Sequence, residues 1–79
     1  MRIQQALAKN VRNYRNAAGL SQWQLVERIE NLGPQTGIDQ AYISLLENGK
    51  KNPTLISLWF IAEALNVTVA ELVDESDLG

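Results

Sequence analysis

Apolar residues along this chain return at helical spacing, and each run is closed by glycine, proline or a capping residue. Leu7, Val11, Tyr14 and Ala18 recur on one side of a first predicted helix, over about residues 3–17. Gly19 stands where a left-handed helix stop is wanted, and Leu20 supplies the apolar residue that follows such a stop. Ser21 is a good N-cap for a second helix over about residues 22–31, which turns Leu25, Val26 and Ile29 inward. Leu32-Gly33-Pro34 ends it, because proline disfavours helix in the residue before it. Asp39 caps a third, short helix over residues 40–47 with Ile43 and Leu46 inside, and Asn48-Gly49 closes it. Thr54 opens a fourth over residues 55–65, with Leu55, Leu58, Ile61, Ala62 and Leu65 expected inward. Thr68-Val69-Ala70-Glu71 reads as a capping box and opens a fifth short helix carrying Val69, Leu72 and Val73.

No strand pattern of comparable strength competes with these periods. Helices this short do not stand alone in water, so each must bury its stripe against the others. The expectation is an all-α fold: a compact five-helix bundle forming one domain over residues 1–79, with the acidic tail 74–79 frayed.

Composition then removes function classes. The chain has no cysteine and no histidine, so it lacks thiolate ligands, the commonest zinc ligand and the commonest general base. No carboxylate pair sits in an apolar setting and no glycine-rich phosphate loop occurs, so neither an enzyme nor a cofactor is expected. No apolar run approaches the roughly 20 residues of a membrane helix, and the polar N-terminus has no signal core, so a cytoplasmic protein is expected. The net charge of −2 looks unhelpful for a nucleic-acid binder, but its distribution changes that picture. Residues 1–52 carry all seven Lys and Arg against four acids, net +3, while residues 53–79 carry five acids and no cation, net −5. A basic face on the N-terminal part remains compatible with DNA.

Three stretches carry a family resemblance: Gly19-Leu20-Ser21-Gln22-Trp23-Gln24-Leu25, then Tyr42 to Pro53 (YISLLENGKKNP), then Ile61 to Leu72 (IAEALNVTVAEL). Together, over about residues 7–73, they resemble the phage repressor/Cro-type helix-turn-helix family, also called the xenobiotic-response-element family. The resemblance implies a lambda-repressor-like domain whose second and third helices form the helix-turn-helix. It further implies a sequence-specific, DNA-binding transcriptional regulator that inserts the third helix in the major groove. By resemblance, Gln40, Ala41, Ser44 and Leu45 occupy groove-facing positions, Gln22 anchors the DNA backbone, and Arg15 and Glu47 form a buried structural ion pair.

The residues support that reading on chemical grounds. A major groove admits one α-helix, and a short helix offered end-on reaches base edges. Gln40 can pair bidentately with adenine, Ala41 permits close approach or meets a thymine methyl, and Tyr42 and Ser44 can donate to phosphate or base. On an arbitrary helix these same residues would be a solvated surface. Ser21 and Gln22 open one helix, and Thr54 opens another behind Lys50, Lys51 and Asn52; helix starts attract phosphate, so both places are candidate backbone clamps. Plain capping and solvated charge are the plainer readings there.

Several features depart from the family pattern. Residues 30–36 look like an insertion of about seven residues between the second and third helices, tolerable because extra loop length costs little closure entropy. Gln35, Thr36 and Gly37 in that loop are candidates for backbone contact. Leu45 is apolar where a polar residue is usual. Ile56 and Phe60, with an adjacent, half-buried Trp59, are expected to form a self-association or partner surface; the plainer reading is that Trp59 completes the core and only Phe60 is exposed. The partners expected are therefore double-stranded DNA and a second copy of the chain, with recognition helices roughly 34 Å apart in a two-fold dimer. The alternative is a protein-interaction module on the same fold, such as an antitoxin or the co-regulator partner of another protein.

Overall fold

A computed structural model describes residues 1–76. Its elements are α1 (Arg2–Ala17), α2 (Gln22–Leu32), α3 (Gln40–Glu47), α4 (Leu55–Leu65) and α5 (Val69–Leu72), with no strand among the described residues. α2 runs to Leu32 because Pro34 bars only its neighbour Gly33 from helical geometry; Gly33 is extended, at φ −169° and ψ 122°.

Side chains close the helix ends. Ser21 Oγ accepts from the Gln24 N–H at 3.1 Å while Gln24 Oε1 accepts from the Ser21 N–H at 2.8 Å, a reciprocal capping box. Thr68 and Glu71 make the same box on α5. Asp39 caps α3 by accepting from the Tyr42 N–H at 2.8 Å, and Thr54 caps α4 by accepting from Ser57 at 3.1 Å. Each such cap contributes about 1 kcal/mol. At the other end of α1, Gly19 adopts φ +71°. The Leu20 N–H then reaches the Arg15 carbonyl at 3.1 Å and the Gly19 N–H the Asn16 carbonyl at 3.0 Å. A side chain at that φ would be strained, which is why glycine serves there.

Val11, Leu25, Ile29, Ile43, Leu46, Ile61 and Leu72 are fully buried in one core. α3 packs against α1 and α2, α4 against α2, and α5 against α1 and α4. α3 is thus held on two sides. Truncating a residue such as Ile29 to alanine would cost about 2–5 kcal/mol. The buried Asn10 fastens the far end: its amide nitrogen lies 2.9 Å from the Leu72 carbonyl, 2.8 Å from that of Asp74 and 3.3 Å from that of Glu71.

Two expectations change. Residues 74–76 are not loose: Asp74 is held by Asn10, and Glu75 pairs with Arg2 at 2.9 Å. The rest of the expected fray, residues 77–79, lies outside the described residues. On α4, Leu55 and Phe60 exchange roles. Leu55, expected inside, is 73% exposed because it opens the helix and has no element over it. Phe60, expected outside, is half-buried against the core, one helical turn before the buried Ala64. The loop after α2 closes over its ring. A Cβ added to Gly33 would lie 2.9 Å from Phe60 Cε1, so any other residue there must displace that ring.

Candidate nucleic-acid interface

The edge of α3 rests on a chain of polar contacts that begins in the core. Glu47, the last residue of α3, is 4% exposed. Arg15 meets it bidentately, Nε to Oε2 at 2.7 Å and Nη2 to Oε1 at 2.9 Å, and its remaining Nη1 donates to the Leu20 carbonyl at 2.8 Å. Arg12, which the sequence did not single out, adds a second guanidinium: Nη2 donates to the Glu47 carbonyl at 2.8 Å and Nε lies 3.6 Å from Oε1. Burial pushes the Glu47 carboxyl up, but hydrogen bonds from Arg15 and Gln22 and the charges of Arg15 and Arg12 outweigh it and hold the group below the usual range. The hydrogen bond to Glu47 raises Arg15 in turn, against its own burial.

From Glu47 the chain of contacts runs outward. Gln22 Nε2 donates to Glu47 Oε1 at 3.2 Å, and Gln22 Oε1 accepts from Gln40 Nε2 at 2.8 Å. An ionised carboxylate only accepts, so it fixes which way the Gln22 amide points, and Gln22 fixes Gln40. Among the described residues, Gln40 keeps its Oε1 and one amide N–H unspent, the two groups a bidentate contact to adenine requires.

Beyond Gln40, Ala41 and Leu45 are exposed, Ser44 is half-buried, and the opposite face of α3 is buried through Ile43 and Leu46. Tyr42 is half-buried against the core, with the Lys51 ammonium 4.8 Å over its ring. In the following turn Lys50 is exposed, Asn52 is hydrogen-bonded to Gln4, and Thr54 is occupied as the α4 cap. The structure therefore brings Gln22, Gln40, Glu47 and Arg15 into one connected array. It leaves Ser21, Lys50 and Thr54 as separate points on the surface. Among the loop candidates, Gln35 and Gly37 are exposed and Thr36 is turned to its own backbone, accepting from the Ile38 N–H at 3.2 Å.

A second kind of surface lies on α4, where Leu55, Ile56 (69% exposed) and Trp59 (49% exposed) form a bare apolar face. Phe60 leaves the expected patch and supports it from below, its ring edge-on to Trp59 at 5.1 Å and 81°. Among the described residues there is no group of acids that could hold a metal ion and no helix long and apolar enough to cross a membrane.

Comparison with known proteins places this geometry. The helix-turn-helix family model matches residues 11–72. The chain is 40% identical over 78 residues to control protein C.SmaI of Serratia marcescens, spanning 99% of this chain and 84% of that protein. It is 35% identical over 77 residues to the uncharacterized HTH-type transcriptional regulator y4dJ of Sinorhizobium fredii (strain NBRC 101917 / NGR234), spanning 98% and 91% respectively. Among solved structures it resembles a hypothetical transcription factor, NHTF, from Neisseria, with a TM-score of 0.80 and 28% identity over 96% of this chain and 79% of that one. The chain belongs to the helix-turn-helix family, in its Cro/C1-type branch of DNA-binding transcriptional regulators.

Proposed function

We propose that this regulator works in the cytoplasm as a homodimer and reads a specific duplex by laying the outer edge of α3 in the major groove. The observation that carries this reading is the free outer edge of α3, with Ala41 and Leu45 exposed, ahead of a Gln40 amide already oriented through Gln22 and Glu47. Orientation before binding lowers the ordering cost of a base contact. Gln40 contacts adenine, Ala41 and Leu45 meet thymine methyls, and Ser44 donates to a base edge or phosphate. Tyr42 borders the groove from the side. Ser21 and Gln22 at the start of α2, and Lys50, Lys51, Asn52 and Thr54 at the start of α4, grip the backbone on either side. Arg15 and Glu47 hold the frame and do not touch DNA.

The second copy docks on the α4 face of Leu55, Ile56 and Trp59. A two-fold pairing there sets two recognition helices roughly 34 Å apart, one turn of duplex. A second reading draws on Leu45, which is 41% exposed at a place where a polar side chain would serve base reading better: the same edge would then meet another protein. Selection of bound duplexes from a random pool separates the two. A palindromic consensus, with Gln40→Ala losing about 1–3 kcal/mol of discrimination at one base pair, supports the groove reading. Recovery of no consensus overturns it.

A further inference from the structure

We infer that the groove between α1 and the C-terminal end of α3 is a DNA-phosphate site, separate from the clamps at the helix starts. This rests on the groove reading above. The groove is a cleft of about 390 Å³ lined by Gln5, Lys9, Arg12 and Asn13 of α1 and by Asn48 and Gly49 beyond α3. Beside the buried Ala8 and Glu47, which also line it, its side chains are cationic or amide-bearing, the donor types that phosphate oxygens accept from.

Charge accounting around Glu47 makes the case. Arg15 alone neutralises that carboxylate through two hydrogen bonds of 2.7 and 2.9 Å. Arg12 is therefore a surplus cation. Its side chain remains 49% exposed, with Nε at 3.6 Å from a carboxylate that is already paired. Yet Arg12 is not a loose surface arginine, because Nη2 is pinned to the Glu47 carbonyl at 2.8 Å. A guanidinium held by one of its five N–H groups, with half its side chain exposed at the edge of the cleft, is preorganised for an anion. Lys9 lies one turn earlier on the same helix and lines the same cleft.

Position decides which anion. The cleft opens beside Asn48 and Gly49, and the next residue is Lys50, the exposed cation of the turn already read as a clamp. That turn is fastened to α1 by the Gln4–Asn52 hydrogen bond. Lys9 and Arg12 thus line α1 toward the end of α3, and Lys50 follows the cleft's Gly49 in the chain. A duplex seated on α3 would carry a backbone strand along that line.

The test is the salt dependence of binding to two duplexes of equal length, one carrying the site selected from a random pool and one with that site shuffled. Arg12→Gln keeps a donor for the Glu47 carbonyl and removes the charge. It is expected to lower the slope of log K against log salt by about 0.9, and to weaken both duplexes by the same factor without changing the consensus. Arg12→Lys is expected to restore the slope. Unchanged slopes in a folded Arg12→Gln protein that still binds overturn this inference and leave the groove reading standing, with Arg12 only a partner for the end of α3. Failure of the unsubstituted protein to retain either duplex in dilute salt overturns both.

Discussion

The outer edge of α3 and the bare face of α4 are both uncovered, and they are built on opposite principles. Behind α3 lies a chain of hydrogen bonds from Arg15 through Glu47 and Gln22 to Gln40, each partner fixing the next. Beneath the bare α4 face, among the described residues, lies packing: Trp59 leans on Phe60, and Phe60 leans on the glycine of a loop. Directional support suits a surface that must tell one base from another, where a small misplacement leaves donors unpaired. Non-directional support suits a surface that needs only apolar area and a matching shape. The difference teaches that exposure alone does not say what a helix face is for; what lies beneath it does.

That contrast can be broken most severely at Glu47. Glu47→Ala leaves the Arg15 charge without its carboxylate near the core, and is expected to cost about 3–5 kcal/mol in equilibrium urea unfolding. Acid should reach the same contact. Because the folded-state value of Glu47 is lowered, its contribution is fully present above its unfolded value and is lost as pH falls through the lower folded value. Stability should therefore drop as pH falls below about 4.3, the ordinary glutamate value, and Glu47→Gln should lose much of that dependence. Unfolding followed by circular dichroism from pH 6 to 3 would show it.

The α4 face should behave differently. Trp59→Ala is expected to weaken self-association by about 2 kcal/mol or more, seen in sedimentation equilibrium, while leaving the unfolding midpoint of the monomer nearly in place. Gly33→Ala tests the support beneath it. The added methyl must displace the Phe60 ring from 2.9 Å, at a cost of about 1–3 kcal/mol in the thermal unfolding free energy. The smallest effect belongs to Leu55→Ser. At 73% exposure this side chain contributes little to the fold, and stability should move by no more than about 0.5 kcal/mol while any dimer weakens. A large loss of monomer stability would mean that the residue belongs to the core after all.

Much of the fold was legible because each helix carries its own punctuation. Ser21, Asp39, Thr54 and Thr68 each cap the helix they precede, and Gly19 takes the left-handed stop. These are local signals, decided by residues within one turn of each other. The interface was legible only in outline. The family resemblance put Gln40 among the groove-facing positions, but the Gln22–Gln40 contact spans eighteen positions and the Arg12–Glu47 contact thirty-five. Such pairs exist only once the helices cross. The α4 error has the same origin. Helical spacing puts Leu55 in register with Leu58 and Ala62, but does not say that the core ends before the first turn. Nor does it say that a loop some thirty residues earlier folds back over Phe60.

That loop carries one last consequence. Residues 33–38 look like surplus chain beside the tight turn they replace, and the obvious simplification is to trim them. Doing so would strip the cover from an aromatic ring and join it to Leu55, Ile56 and Trp59 in one enlarged greasy stripe. The shortened protein would be expected to betray itself first in the test tube, by clumping and poor yield, before any change in what it reads.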